Sequence, residues 1–453
     1  MSSPSSSLER AIAFAPTPAG LEAALEILER AAPGSSAATL RREALARYAE
    51  VPAPPGSSAR GWRHNYADLP FEGLRWSSER VAIDDRPNRT ETASAEDGEG
   101  FWSGGLFHLG STYFAPRRTD RVDPRIIVVP LDDAAHERPD LVGPLRGTIV
   151  DWRTDKFAAL ATAFENCGAF VYVPDGVVLE APILLAWAGR DRNDPEAVFP
   201  HVVVALGAGA RATVVEQIVG HGDGLACGIV EVHVGPGAQL DYVALQSADE
   251  GTRLLMRRGA ACEAGATVRW HLADLGGALA RDVVDARLAA PDARAEISAL
   301  FFNTGWQHVD LATTVEHASP RTSSTTVVRS AATDRGQGRY LGNIAILAGA
   351  HGTDASLRDD ALLLSSNAHI DSIPALEIAA NDVKAFHGAT IGSLDEDEIF
   401  YVQSRGIARP EAIRMVALGF FEPAIARFPS ERLREQIRVA LDAKIDAATE
   451  QPE

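Results

Sequence analysis

Lysine is nearly missing. In 453 residues it occurs only as Lys156, Lys384 and Lys444, so almost all of the 43 basic side chains are arginine, the better bidentate partner for carboxylates. These lysines precede Phe157, Ala385 and Ile445, so none completes the GxxxxGK[ST] loop that places a lysine on the β and γ phosphates, and nucleotide hydrolysis by the usual route is excluded. Cysteine is as scarce: Cys167, Cys227 and Cys262 lie far apart with no CxxC pair, which argues against a disulfide framework or a closed zinc site and leaves buried free thiols as the expectation. There is no run of about 18 apolar residues, and the opening MSSPSSSLER has neither a basic nor an apolar leader region, so the expectation is a soluble, cytoplasmic protein. Positive charge is in deficit too. A formal net charge of −19 disfavours nucleic acid and anionic membranes as partners. GxSxG, HExxH and Rossmann fingerprints are absent, and the glycine cluster GAGAR at 207–211 reads as a turn.

What is present divides into four stretches. Residues 1–50 read as an N-terminal helical segment, with Leu21, Ala24, Leu25 and Leu28 at the spacing of one helical face. Residues 51–145 read as linker and mixed α/β, opening on the breaker Pro54-Pro55-Gly56-Ser57-Ser58 and containing an acidic loop, ETASAEDGEG, at 91–100. From 146 to 392, strand-like runs rich in valine, isoleucine and threonine alternate with small turns. Four of these begin alike, at Gly209, Gly237, Gly265 and Asp292, and a fifth of the same form starts at Asn367. Their near-constant spacing predicts a parallel β-helix, because one coil cannot bury its own apolar face and must stack on the next. A β-sandwich with regular hairpins is the structural alternative, and chance recurrence of Gly-Ala turns in an alanine-rich chain is the bland one.

Residues 393–453 turn helical again. Ser393 and Glu396 have capping-box spacing, Gly406 is a stop, and Pro410 suits the first turn of a helix carrying Ile413, Val416, Ala417, Phe420 and Phe421 on one face. Pro423 should kink or end that helix, and Ser430 should cap another with Leu433, Ile437, Leu441 and Ile445 as its stripe. Such stripes are ordinarily core, although Phe420 and Phe421 also have the character of a docking knob.

Two places carry candidate chemistry. In HVDLATTVEHASPRTSST, a strand puts His308, Asp310 and Glu316 on one face and Val309, Leu311, Val315 and His317 on the other. That row is either a hydrogen-bonded ladder or an acid/base or metal set, and Asp310 with Glu316 would be the pair of a carbohydrate-active β-helix enzyme. In DVKAFHGATIG, a strand puts Val383, Ala385 and His387 on one face and Asp382, Lys384 and Phe386 on the other. His387 reads there as a hydrogen-bonded interior histidine or as a working group on an apolar face.

The run from Leu362 to Ile407 resembles the SufB/SufD family of iron–sulfur cluster assembly proteins. The resemblance rests on the leucine run 362–364, Pro374, Leu376–Ile378, Asp382–Lys384, Phe400-Tyr401 and Ser404–Ile407. HASPRTSS at 317–324 and Leu341-Gly342-Asn343-Ile344 are also similar, and His387-Gly388-Ala389-Thr390 is like the SufD branch. RGWRHNYADLPFEGLRW at 60–76 matches loosely. The resemblance implies a right-handed parallel β-helix flanked by N- and C-terminal helical segments, acting as a non-catalytic scaffold that pairs with a SufB-like paralogue. In isolation the chain could also pair with itself. It implies that the C-terminal helices dock SufC-like ATPases, with Lys384, Phe400, Tyr401, Ser404, Arg405, Gly406, Ile407, Phe420 and Phe421 as partner contacts. It further implies that His387 is a transient ligand of iron or a nascent iron–sulfur cluster at the paralogue interface, with a reduced flavin as a proposed participant in the complex. The chain departs from the family pattern at two points. Ala385 stands where many relatives have cysteine, and Asn343 replaces the lysine of a Gly-Lys-Ile step.

Overall fold

The computed structural model describes residues 123–189, 195–220 and 222–449 continuously, and of the first 122 residues chiefly 12–14, 36–54, 73–77, 101–110 and 112–118. Most of the helical face from Leu21 to Leu28, of the breaker at 54–58 and of the family-like element at 60–76, and the whole of the loop at 91–100, lie outside the described residues.

The centre of the molecule is a parallel β-solenoid of about eight coils, each contributing one strand to either of two facing sheets. From Pro200–Leu206 onward every strand of the two sheets pairs in parallel with the strand two places on. One column runs Val214, Tyr242, Trp270, Ile297, Thr326, Leu357, His387, each in register with the next. The facing sheet repeats the pattern through Val202, Val230, Arg258, Val284, Thr313, Gly342 and Pro374. Alternation does the sorting: one set of side chains fills the space between the sheets, where Tyr242, Trp270 and Ile297 are at most 1% exposed, and the other set faces outward.

The repeated turns have a conformational cause. Gly209, Gly237 and Gly265 have φ of 66°, 65° and 65°, and Asp292 continues the column at 64°. Glycine enters this left-handed region freely and aspartate tolerates it, which is why the repeat reads Gly, Gly, Gly, Asp. The turn at Asn367 opens a strand of the opposite sheet, His369–Ile378, so it belongs to the other side of the coil. Strands Gly104–Leu109 and Ile127–Pro130 join the same two sheets, so the mixed segment before residue 146 supplies part of the solenoid.

Helices α1 (Ser36–Glu50), α2 (Leu131–Glu137), α3 (Pro139–Val142) and α4 (Lys156–Phe164) lie toward the first coils. Helices α5 (Glu396–Ser404), α6 (Arg409–Ile425) and α7 (Glu431–Thr449) follow the last. Leu433, Ile437, Leu441 and Ile445 of α7 are all buried, packed with Ala417, Phe421 and Ile425 of α6 against Val243, Ala273 and Phe302 on the outer face of one sheet. Ser430 caps α7 through a bond from the Leu433 N–H at 3.3 Å. For α5 the cap is Asp395, which accepts from the Asp397 and Glu398 N–H groups, and not the Ser393–Glu396 box. Pro423 falls within α6, which ends two residues later.

Two of the three lysines are clamps. Lys156 donates to the Tyr48 and Val51 carbonyls at 2.6 and 3.0 Å and ties α4 to the end of α1. Lys444 donates to the Leu275 and Phe302 carbonyls and fixes α7 on the sheet. No helix among the described residues is long and apolar enough to cross a membrane.

Candidate functional site at the open end of the solenoid

Strands His369–Ile378 and Lys384–Ser393 are the outermost members of their sheets at the C-terminal end. Each is ten residues long and, among the described residues, paired on one side only, so two parallel rows of backbone donors and acceptors are offered side by side. Apolar side chains accompany them: Ile378, Phe386 and Ile391 are 48%, 60% and 49% exposed. An unprotected double edge of this length is a template for another chain.

His387 sits in the last strand at the end of the column that begins at Val214. Its register partner Leu357 is buried, so the imidazole continues the interior column where the coil opens, while Lys384 and Phe386 face outward as alternation predicts. Val383 and Ala385 pack against the interior core on either side of Lys384. Among the described residues the His387 Nδ1 is buried and has no hydrogen-bond partner. Of the two readings left open by the sequence, the hydrogen-bonded interior histidine is therefore not the one Nδ1 supports.

Asp359 was not marked by the sequence. Alternation on strand Asp354–Leu363 turns Arg358 and Asp360 outward and Asp359 into the coil, where it is 0% exposed. The Ser372 hydroxyl, reaching from the facing sheet, donates to Oδ2, whereas Oδ1 has no partner among the described residues. Burial, reinforced by the Asp360 charge, outweighs that bond and pushes the carboxyl up to about 7. Close by, the Tyr340 and Thr313 hydroxyls are bonded to each other at 2.7 Å inside the coil.

His308, Asp310 and Glu316 share one face of their strand as expected, opposite Val309, Leu311 and Val315, but they do not form a reactive pair. Six residues along one strand separate Asp310 from Glu316 by about 20 Å, beyond the span used in sugar hydrolysis. Each is already engaged: Asp310 accepts from the Tyr66 hydroxyl at 2.9 Å and Glu316 pairs with Arg287 at 2.6 Å. The carbohydrate-active reading is thereby overturned. His317 faces inward, bonded to the Thr322 and Ser324 hydroxyls at 2.8 and 2.9 Å, and burial pushes it down to about 4.

The cysteines are free and buried, as the sequence suggests. Burial pushes the Cys262 thiol up to about 12 and Cys227 still further, so neither offers a thiolate at neutral pH.

The second surface lies on α5. Phe400 and Tyr401 are 70% and 60% exposed, with the Arg405 guanidinium bonded to the Tyr401 hydroxyl at 2.9 Å. Ser404, Arg405 and Gly406 are exposed beside them and Ile407 is half-buried. Phe421 must be removed from this set: it is wholly buried, 6.2 Å from the Phe302 ring, and offers a partner nothing. Phe420 is half-buried under the Arg329 guanidinium. The exposed aromatic knob is Phe400-Tyr401, since the α6 stripe is spent on the sheet.

Comparison with known proteins places this geometry. The core-domain model of SufBD proteins of the SUF iron–sulfur cluster assembly system matches residues 188–420, and the model of the SufBD N-terminal region matches residues 106–185. An iron–sulfur cluster assembly SufBD family protein of Mycobacterium leprae is 30% identical over 288 residues, 63% of this chain and 33% of that protein. The iron–sulfur cluster assembly protein SufB of Bacillus subtilis is 27% identical over 317 residues, 69% of this chain and 68% of that protein. A SufBD family protein of Staphylococcus saprophyticus is 28% identical over 321 residues, covering 70% and 68% respectively. The match therefore spans only a third of the mycobacterial relative's length.

Proposed function

Because this chain belongs to the SufBD family of iron–sulfur cluster assembly proteins, we propose that it is a SufD-like, non-catalytic scaffold subunit working in the cytoplasm. It pairs through the open end of its solenoid with a SufB-like paralogue and holds iron or a nascent cluster there through His387. The observation that carries this reading is the coincidence, among the described residues, of the two unpaired strand edges with an interior histidine whose Nδ1 has no partner. A strand pair added to those edges would continue both sheets and cover His387, turning an open end into a dry interface. A neutral imidazole suits iron, and a thiolate from the partner would supply the soft donor that the buried cysteines here cannot. The SufD assignment is supported by His387-Gly388-Ala389-Thr390.

The ATPase is a separate SufC-like chain docked on the α5 surface, with Phe400, Tyr401 and Arg405 as the contact. Closure of a bound ATPase pair would act on α5 and, through the short link at Leu394, on the strand that carries His387. Any reduced flavin belongs to the assembled complex.

Co-expression with SufB-like and SufC-like chains tests the proposal. The wild type should co-purify with both, and the His387→Ala chain should assemble equally while cluster reconstitution falls at least tenfold. Failure to associate in any combination would overturn the scaffold assignment. Unchanged cluster yield would return His387 to a packing role, and assembly with only a second copy of this chain would replace the heterodimer by a homodimer.

A further inference from the structure

The interior beside His387 holds a second group with the means to bind iron. We propose that Asp359, through Oδ1, ligates ferrous iron jointly with His387 and so takes the place of the cysteine that Ala385 does not supply. This rests on the reading of His387 given above and extends it to a residue two inward steps beyond the register of Ala385.

The geometry narrows the choice. Of the inward-facing side chains on the last strand and the strand beneath it, Ala385, Ala389, Ile391, Ala355, Leu357 and Ala361 are hydrocarbon. Apart from the Ser393 hydroxyl at the far end of the last strand, His387 and Asp359 are the donor-bearing side chains of this set among the described residues. Asp359 is in register with Ala389, one inward position along from His387. Neighbouring strands about 4.8 Å apart and a step of two residues put the two Cα atoms about 8 Å from each other, within the joint reach of an imidazole and a carboxylate on one ion. Both Oδ1 and Nδ1 are buried and without a partner among the described residues.

Asp359 is 0% exposed, and among the described residues no cationic side chain pairs with it. Arg329 is committed to Asp360 on the outer face at 2.5 Å. A buried carboxyl with one oxygen unsatisfied is costly unless a cation or a donor comes to it. Ser372 holds Oδ2 from the opposite sheet and so orients Oδ1, the supporting role that residues behind metal ligands play. One imidazole nitrogen with one carboxylate oxygen is a donor set that ferrous iron accepts, leaving positions for a partner thiolate. Two ligands from one chain also agree with the finding that no group of three or more His, Cys, Asp or Glu side chains among the described residues could hold a metal alone.

The test uses the full chain in complex with its SufB-like partner under anaerobic conditions, with ferrous iron alone as the probe and affinity read by chelator competition. Asp359→Asn keeps the acceptor for Ser372 and should weaken iron binding at least tenfold with an unchanged melting temperature. Adding Ala385→Cys to that variant should restore binding. If His387→Ala loses iron and Asp359→Asn binds as the wild type does, this inference is wrong and the reading of His387 stands. If neither substitution weakens binding, both fail. Should the Asn variant not fold, Ser372→Ala leaves Asp359 in place but frees its carboxylate, and an unchanged affinity there would count equally against the assignment.

Discussion

His201 lies between two buried carboxylates, Glu165 at 3.0 Å from Nδ1 and Glu231 at 3.0 Å from Nε2. Burial alone would lower its pKa, but the two hydrogen-bonded acids overrule it and hold the imidazole up at about 9. Glu231, although burial opposes ionisation, is held down at about 2 by His201 and by the Gly147 and Val150 N–H groups. The folded state therefore keeps a proton on His201 between pH 6.5 and 9 that the unfolded chain releases, so this site's contribution is full below 6.5 and is lost as pH rises through 9. The shift corresponds to about 3 kcal/mol at most. Lys444 acts in the opposite sense. Burial pushes it down to about 7 from 10.5, so its contribution grows with pH across that interval. Only a difference measurement separates the two. Urea unfolding at pH 6 and pH 9 should show His201→Gln much less destabilised relative to wild type at the higher pH; parallel pH profiles would mean that His201 is not charged in the fold.

Among the elements, the turns were the most legible because their requirement is local. Gly237 has φ of 65° and nothing within 4 Å of where a Cβ would stand, so Gly237→Ala meets backbone strain and no clash. It should cost about 1 kcal/mol in urea unfolding, whereas a loss several times larger would mean that the turn is held by packing. The inward face of His387 was equally readable from alternation. What the sequence hides is whatever depends on the facing sheet or on the third dimension of a strand. Asp359 carries no mark in the sequence because Ser372, which orients it, arrives from the opposite side of the coil. Asp310 and Glu316 share a face, yet a common face says nothing of the length of strand between them. Phe420 and Phe421 gave a stripe without saying what it packs on. It packs on the solenoid, and that alters how ATPase docking must be examined. Cutting the chain after residue 392 would uncover Val243, Ala273, Leu300 and Phe302 and confound lost docking with aggregation. The Phe400→Ala/Tyr401→Ala pair, both exposed, should instead abolish co-purification of the ATPase while leaving the melting temperature within a few degrees of wild type. Retained ATPase binding would move the docking surface off α5.

At the scale of the molecule the two ends of the solenoid are not equivalent. Toward the N-terminal end, strands Ile127–Pro130 and Gly104–Leu109 lie beyond the first full coil and run on into further elements, whereas at the C-terminal end both sheets stop on ten-residue edges. Soluble β proteins blunt such edges with charge, proline or a covering element. Here Pro374 interrupts one edge, but Ile378, Phe386 and Ile391 remain exposed along the pair, the surface that the proposed pairing would cover. Inserting charge at the rim tests that pairing. Ile378→Asp with Ile391→Asp replaces two side chains that are about half exposed in the free subunit, so the isolated fold should lose less than about 1 kcal/mol. In the complex the same carboxylates would be buried against apolar surface with no counter-charge, which costs several kcal/mol and weakens pairing by two or more orders of magnitude. Light scattering of co-expressed subunits reads the outcome. A monomeric, normally melting double variant that no longer binds its paralogue places the interface at this end, and an intact heterodimer would require the partner to be seated elsewhere on the solenoid.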